Sequence, residues 1–156
     1  MITDLYIHTK HLYRYVNIIY LELIIMNKKN LLKKMEQFFD DYEYEHKFAI
    51  EDFDTDDPDY EVQDPEITIE CEISETETEE SDDSIYFVAM GNWDNVDYKN
   101  IETEKIGELC RLVTEDIEKK LKLEDGTIES QTPTWVEYNK KTDEWGRMYF
   151  NFVIEL

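Results

Sequence analysis

Glycine and proline are scarce in this chain, four and three among 156 residues. That excludes long structureless loops over most of its length and any Gly-rich phosphate cradle. Cysteine is nearly absent. Cys71 and Cys110 cannot build the disulfide framework of a small secreted domain, which points to a reducing, cytoplasmic compartment. Cationic side chains are the third shortage: 16 Lys and Arg stand against 39 Asp and Glu, a formal −23. Affinity for nucleic acid rests on Lys and Arg neutralising phosphates, so direct binding of DNA, RNA or an anionic membrane is not expected. No apolar run spans a bilayer either. The longest, Leu12 to Met26, is too short and is broken by Arg14, Asn17 and Glu22.

What is present is acid, concentrated in one place. Between Glu36 and Ser84 lie 22 carboxylates and a single cation, Lys47, a formal −21. Residues 1–35 are +4 and residues 85–156 are −6. Charge of one sign at this density opposes a compact fold by self-repulsion and calls for a compensating benefit. Aromatics make up 13% of the chain, including 11 Tyr. That is too many for a disordered chain, and a 41% hydrophobic fraction suffices for one core.

The first 25 residues stand apart. Leu12, Val16, Ile19, Tyr20 and Leu23 fall at helical spacing and allow a short docking helix. Met26 is followed by Asn-Lys-Lys-Asn-Leu-Leu-Lys-Lys, a run that resembles a natural start, and Leu21-Glu22 can be encoded by TTG-GAG, a ribosome-binding sequence. On that reading residues 1–25 are an upstream extension and residues 26–156 form the domain.

After Met26 the periodicity alternates between helix and strand. Leu31, Leu32, Met35, Phe38, Phe39 and Tyr42 predict an amphipathic helix over 28–42, capped by Asn27. Tyr44, His46, Phe48 and Ile50 alternate with charged residues and predict a strand over 44–51. Residues 54–59 and 64–65 read as loop. Over 66–73, Ile67, Ile69, Cys71 and Ile73 face one way and Glu66, Thr68, Glu70 and Glu72 the other. Residues 74–84 form an acidic connection. A more apolar, central strand follows over 85–90, with Gly91-Asn92 opening a loop. Ile106, Leu109, Cys110, Val113, Ile117 and Leu121 make one stripe of a helix over 101–122, capped by Asn100 and stopped by Asp125-Gly126. A hairpin pairs 135–138 with 147–156, where Met148, Phe150, Phe152, Ile154 and Leu156 share a face. This order predicts an α+β fold: an antiparallel sheet of about four to five strands with two main helices on one face.

Catalytic constellations are missing. There is no nucleophile elbow and no His-Glu-x-x-His. Cys71 and Cys110 fall on apolar faces and read as core thiols. His8 and His11 have no further ligand nearby, and His46 reads as a packing residue. Tested as an EF-hand from Asp54, the acidic loop puts Pro58 at a ligand position, Asp59 where Gly is needed and Pro65 where a bidentate Glu belongs. No metal, cofactor or enzymatic activity is expected.

The acidic stretch is therefore the candidate site. Glu70 and Glu72 project from one strand face about 6.7 Å apart. Glu75, Glu77 and Glu79 keep the same two-residue rhythm if the strand continues, and such a row imitates backbone phosphates. Asp54, Asp56, Asp57 and Asp59 in the loop, with Glu80, Asp82 and Asp83 in the connection, complete a partner-binding set. Trp93, Tyr86 or Tyr60 would anchor it, since aromatics dominate interface hot spots. In size, charge and lack of catalytic motifs the chain resembles phage-encoded antagonists of bacterial defence, such as anti-CRISPR and anti-restriction proteins. The resemblance implies an inhibitor, monomer or dimer, that mimics nucleic acid in the basic cleft of a nuclease or CRISPR effector. Its setting would be the cytoplasm of a low-GC bacterial host. The element order is also loosely similar to that of acidic immunity proteins that neutralise nuclease toxins. A phage tail-joining component is the third expectation.

Overall fold

Among the described residues, eight elements form one sheet with its long helices on a single side. The computed structural model describes residues 2–49, 66–92, 101–139 and 144–156, with side chains placed at 16, 18–20, 23–49, 66–92, 101–131 and 147–156. In chain order they are α1 (Ile2–Phe39), β1 (Tyr44–Lys47), β2 (Glu66–Ile73), α2 (Glu75–Glu80), β3 (Ser84–Asn92), α3 (Thr103–Leu121), β4 (Ile128–Asn139) and β5 (Glu144–Glu155). The five strands are antiparallel neighbours in the order β1-β2-β3-β5-β4, so β3 is central, as its apolar composition predicts. The fold is α+β.

The inner face of the sheet is the core. Ile67, Ile69 and Cys71 of β2, Ile85, Phe87 and Ala89 of β3, and Met148, Phe150, Phe152 and Ile154 of β5 are all buried. Two helices close over them. α3 contributes Leu109, Cys110, Val113, Ile117 and Leu121, the stripe expected from its spacing. α1 contributes Met35 and Phe39, with Leu31, Leu32 and Phe38 packed alongside. Phe39 meets Phe87 at 5.2 Å between ring centroids, and Phe87 meets Phe152 at 5.0 Å, so aromatic contacts join α1 to β3 and β5.

Several boundaries differ from expectation. α1 is unbroken through Met26 and Asn27, so Asn27 caps nothing. Residues 21–34 hold no Gly or Pro and are rich in Leu and Lys, which favour helix throughout. α1 ends at Phe39, and buried Tyr42 follows in a turn in which its N–H donates to Phe39 O at 3.3 Å. β1 stops at Lys47, and Ile50 lies outside the described residues. Gly91 and Asn92 belong to β3 and not to a loop. A Cβ at Gly91 would collide with the buried Ile67 side chain, which is why glycine stands inside a strand there.

At the other end of the molecule, Glu102 occupies the N-cap of α3, and the expected cap Asn100 lies outside the described residues. α3 ends before Gly126, at Lys122, whose φ of 58° is left-handed. Lys122 N–H donates to Lys119 O and Leu123 N–H to Glu118 O, the paired bonds that close a helix where glycine is usual. β4 starts at Ile128, seven residues earlier than the spacing suggests, with irregular pairing between Gln131 and Trp135. Pro133 falls in that irregularity, which an edge strand tolerates. Leu156 lies beyond β5 and is 37% exposed, so it does not extend the buried face.

Candidate partner-binding surface

The outer face of β2 is acidic. Glu70 and Glu72 are exposed and alternate with the buried Ile69 and Cys71, as the two-residue period requires. Across the ladder Glu70 lies opposite Met90 and Glu72 opposite Val88. Lys47 of β1 pairs with Glu66 at 2.9 Å, so one carboxylate of this strand is already matched by a cation.

The row of carboxylates does not continue beyond Glu72 as a strand. Glu75, Glu77, Glu79 and Glu80 lie on α2, a short helix, and this overturns the expected strand rhythm. Glu is a good helix former and a poor strand former, and Glu75 and Glu77 sit in the first turn, where the helix dipole favours acid. The change of period regroups the carboxylates. Glu75 and Glu79, four apart, share one direction, and Glu77 and Glu80, three apart, share another. Glu77 and Glu80 line a shallow, open depression together with Asp82, Asp83, Tyr86 and Gln131. Tyr86 was among the expected anchors. Gln131 was not foreseen, because it comes from the part of β4 that the spacing did not reveal.

α2 is pinned to the sheet by one hydroxyl. Thr78 is 2% exposed; its Oγ1 donates to Tyr86 O at 3.2 Å and accepts from Tyr86 N–H at 3.0 Å. Ser74 N–H also donates to Tyr86 O, at 2.9 Å, and Ser74 O accepts from Thr78 N–H within the helix. The β2–β3 ladder thus stops at Ser74, and the Thr78 hydroxyl satisfies the strand amide that the ladder no longer reaches. On the far side Lys28 of α1 donates from Nζ to Thr78 O at 2.6 Å and to Ser81 O. A cation on the last carbonyls of α2 suits the negative end of a helix. Both of these bonds are directed to carbonyls.

The turn after α2 is held in the same manner. Ser84 N–H donates to Ser81 Oγ at 3.0 Å, Ser84 Oγ donates to Asp83 Oδ1 at 3.3 Å, and Leu156 N–H donates to Asp83 O at 2.9 Å. Asp82 and Asp83 remain exposed. Asp54, Asp56, Asp57 and Asp59, and the aromatic candidates Tyr60 and Trp93, lie outside the described residues. The structure therefore brings together Glu77, Glu80, Asp82 and Asp83, and sets Glu70 and Glu72 on the adjoining strand face. Thr78 and Lys28, which shape the surface, carry no sequence signal that separates them from ordinary polar residues.

Elsewhere, Cys71, Cys110 and Tyr42 are titratable groups buried in the core. Cys71 and Cys110 are buried thiols, as expected. Burial pushes the Cys71 thiol well above its ordinary range and raises that of Cys110, where a hydrogen bond with Ser130 opposes the rise. Tyr42 is held protonated well beyond its usual range, first by burial and then by the charge of Asp116, to which its hydroxyl donates at 3.0 Å. Among the described residues no group of three or more His, Cys, Asp or Glu is placed to hold a metal, and no helix is long and apolar enough to cross a membrane. His46 packs between Tyr44 and Phe48, with ring centroids at 6.5 and 4.7 Å.

Comparison with protein-family models, with curated proteins and with solved structures finds no match to this chain.

Proposed function

We propose that this protein is an inhibitor that imitates nucleic acid, using its acidic surface to occupy the basic cleft of a bacterial defence enzyme of the restriction or CRISPR-effector kind. The observation that carries the reading is the anchoring of α2. A flexible acidic loop that served only solubility would need neither a buried Thr78 hydroxyl in the β3 ladder nor a lysine on its last carbonyls. These bonds fix the backbone that bears Glu77, Glu80, Asp82 and Asp83 before any partner arrives. A fixed array of charge speeds encounter with a basic surface and costs little ordering on binding. Tyr86 offers an aromatic contact within the same depression.

The mechanism is steric and electrostatic competition, with no chemical step. Glu70 and Glu72 extend the negative field along the sheet, and the segment of sequence bearing Asp54, Asp56, Asp57 and Asp59 adds charge of the same sign. The setting proposed is the bacterial cytoplasm, where such enzymes act. The test is capture of partners from bacterial lysate on the immobilised protein, followed by challenge with duplex DNA or RNA. The reading expects a basic nucleic-acid enzyme that is released both by salt and by competing nucleic acid. Replacing Glu77, Glu80, Asp82 and Asp83 together by Lys should slow association at least about tenfold. A partner indifferent to competing nucleic acid, or inhibition untouched by the four reversals, would reject the proposal.

A further inference from the structure

α1 has two faces, and among the described residues only one packs against the body of the protein. Its core-facing side consists of Leu31, Leu32, Met35, Phe38 and Phe39. On the opposite side, Val16, Ile19, Leu23 and Met26 are 57%, 54%, 52% and 61% exposed. Their spacing is three, four, three, the a/d pattern of a coiled-coil seam. The pattern extends toward the N-terminus on the same unbroken helix: Ile2, Leu5, Thr9 and Leu12 keep the heptad. Past Met26 it ends. Asn30, Lys33 and Gln37 take the same side and are exposed, so the seam stops where the body begins.

We propose that residues 2–26 pair with the same segment of a second copy as an antiparallel two-stranded coiled coil. Charge selects this occupant and this orientation. Within residues 2–26 Lys10 and Arg14 balance Asp4 and Glu22, so the segments do not repel, whereas residues 36–156 carry −27. A parallel pair would set two such bodies side by side. An antiparallel pair separates them by about 37 Å at 1.5 Å per residue, several times the ~8 Å screening length at physiological salt. The register is self-consistent. When Leu12 meets Val16 of the second copy, Thr9 meets Ile19, Leu5 meets Leu23 and Ile2 meets Met26, so every a position faces a d position. The pairing is independent of the acidic surface, which it leaves open at both ends of the dimer.

Sedimentation of the full chain tests the proposal directly. A dimer is expected, and Ile19→Glu with Leu23→Glu should weaken it at least about 100-fold, because both charges fall in the seam. Ile18→Glu with Ile25→Glu removes as much exposed apolar surface off the seam and should leave the dimer intact. Leu12→Cys with Val16→Cys should give a disulfide-linked dimer on oxidation, and Met26→Cys alone should give none. A monomer at about 0.1 mM, equal loss from both Glu pairs, or a Met26→Cys cross-link would overturn the proposal. So would native protein whose intact mass begins at Met26, or a full chain that binds phosphatidylcholine vesicles without self-associating.

Discussion

Glu118 shows how a single buried charge is used as a structural part. It is 4% exposed, and its two carboxylate oxygens accept from Gly126 N–H at 3.1 Å and Ile128 N–H at 2.8 Å. One side chain of α3 thereby fixes the turn that launches β4. Glu118→Ala leaves both amides without that acceptor and should destabilise the fold by about 3 kcal/mol, since hydrogen bonds to charged groups contribute roughly 1.5–3 kcal/mol each. Urea unfolding with an unchanged m value is the check. Cys71 and Tyr42 make a second residue-scale prediction. Both have native pKa values raised by burial above their unfolded values. The stability they lend is thus complete below the unfolded pKa and is lost as pH rises above it. Stability should fall from about pH 8.5 upward as unfolded thiols ionise, and further near pH 10 as unfolded tyrosines do. Cys71→Ala should flatten the first part of that decline. An alkaline limb identical in the variant would mean that the thiol contributes nothing.

At the scale of elements, legibility followed competition. β2 is plain from sequence because alternation of Ile67, Ile69 and Cys71 with Glu70 and Glu72 has one solution, and α3 is plain because its stripe runs for about four turns. α2 is hidden in an acidic connection because Glu-Thr-Glu-Thr-Glu has the period of a strand and the propensity of a helix. What decides it is tertiary: the ladder ends at Ser74, and Thr78 turns back to satisfy Tyr86. The break expected in α1 rested on Asn27, a good cap that is overridden when helix formers stand on both sides. The first half of β4 was hidden by Pro133, which an edge strand admits and a central strand would not. Thr78→Val tests whether α2 is held as described. It keeps shape and charge but leaves the Tyr86 N–H unsatisfied, and should cost about 1–3 kcal/mol. Amide exchange should rise along Glu75–Glu80 and at Tyr86 while α3 remains protected. Exchange unchanged at Tyr86 would show that the hydroxyl is not its partner. If the acidic surface works by being fixed in advance, the same variant should also slow partner association although no charge has been removed.

For the whole molecule the governing fact is uneven charge on one continuous sheet. The pairs Lys47–Glu66, Lys105–Glu108, Arg111–Glu115 and Lys120–Asp116 lie at the surface, three of them within α3, and relieve little of it. Such pairs contribute little each. Lys28 and Lys34, which reach across from α1, spend their charge on backbone carbonyls at the ends of α2 and α3. The carboxylates of Glu77, Glu80, Asp82 and Asp83 line one depression, and charge of one sign gathered there opposes the fold. Screening should relieve this strain. The urea midpoint should rise as NaCl increases from about 0.02 to 0.5 M, where the screening length falls from roughly 20 Å to 4 Å. The fourfold Lys replacement at Glu77, Glu80, Asp82 and Asp83 should raise the midpoint at low salt and reduce its salt dependence. Partner association should move the opposite way, slowing with salt. Opposite salt responses of folding and binding are the signature of charge retained for a partner at a cost to stability. A midpoint flat in salt would mean that the acidic surface is unstrained, and the need for a basic partner to explain it would disappear.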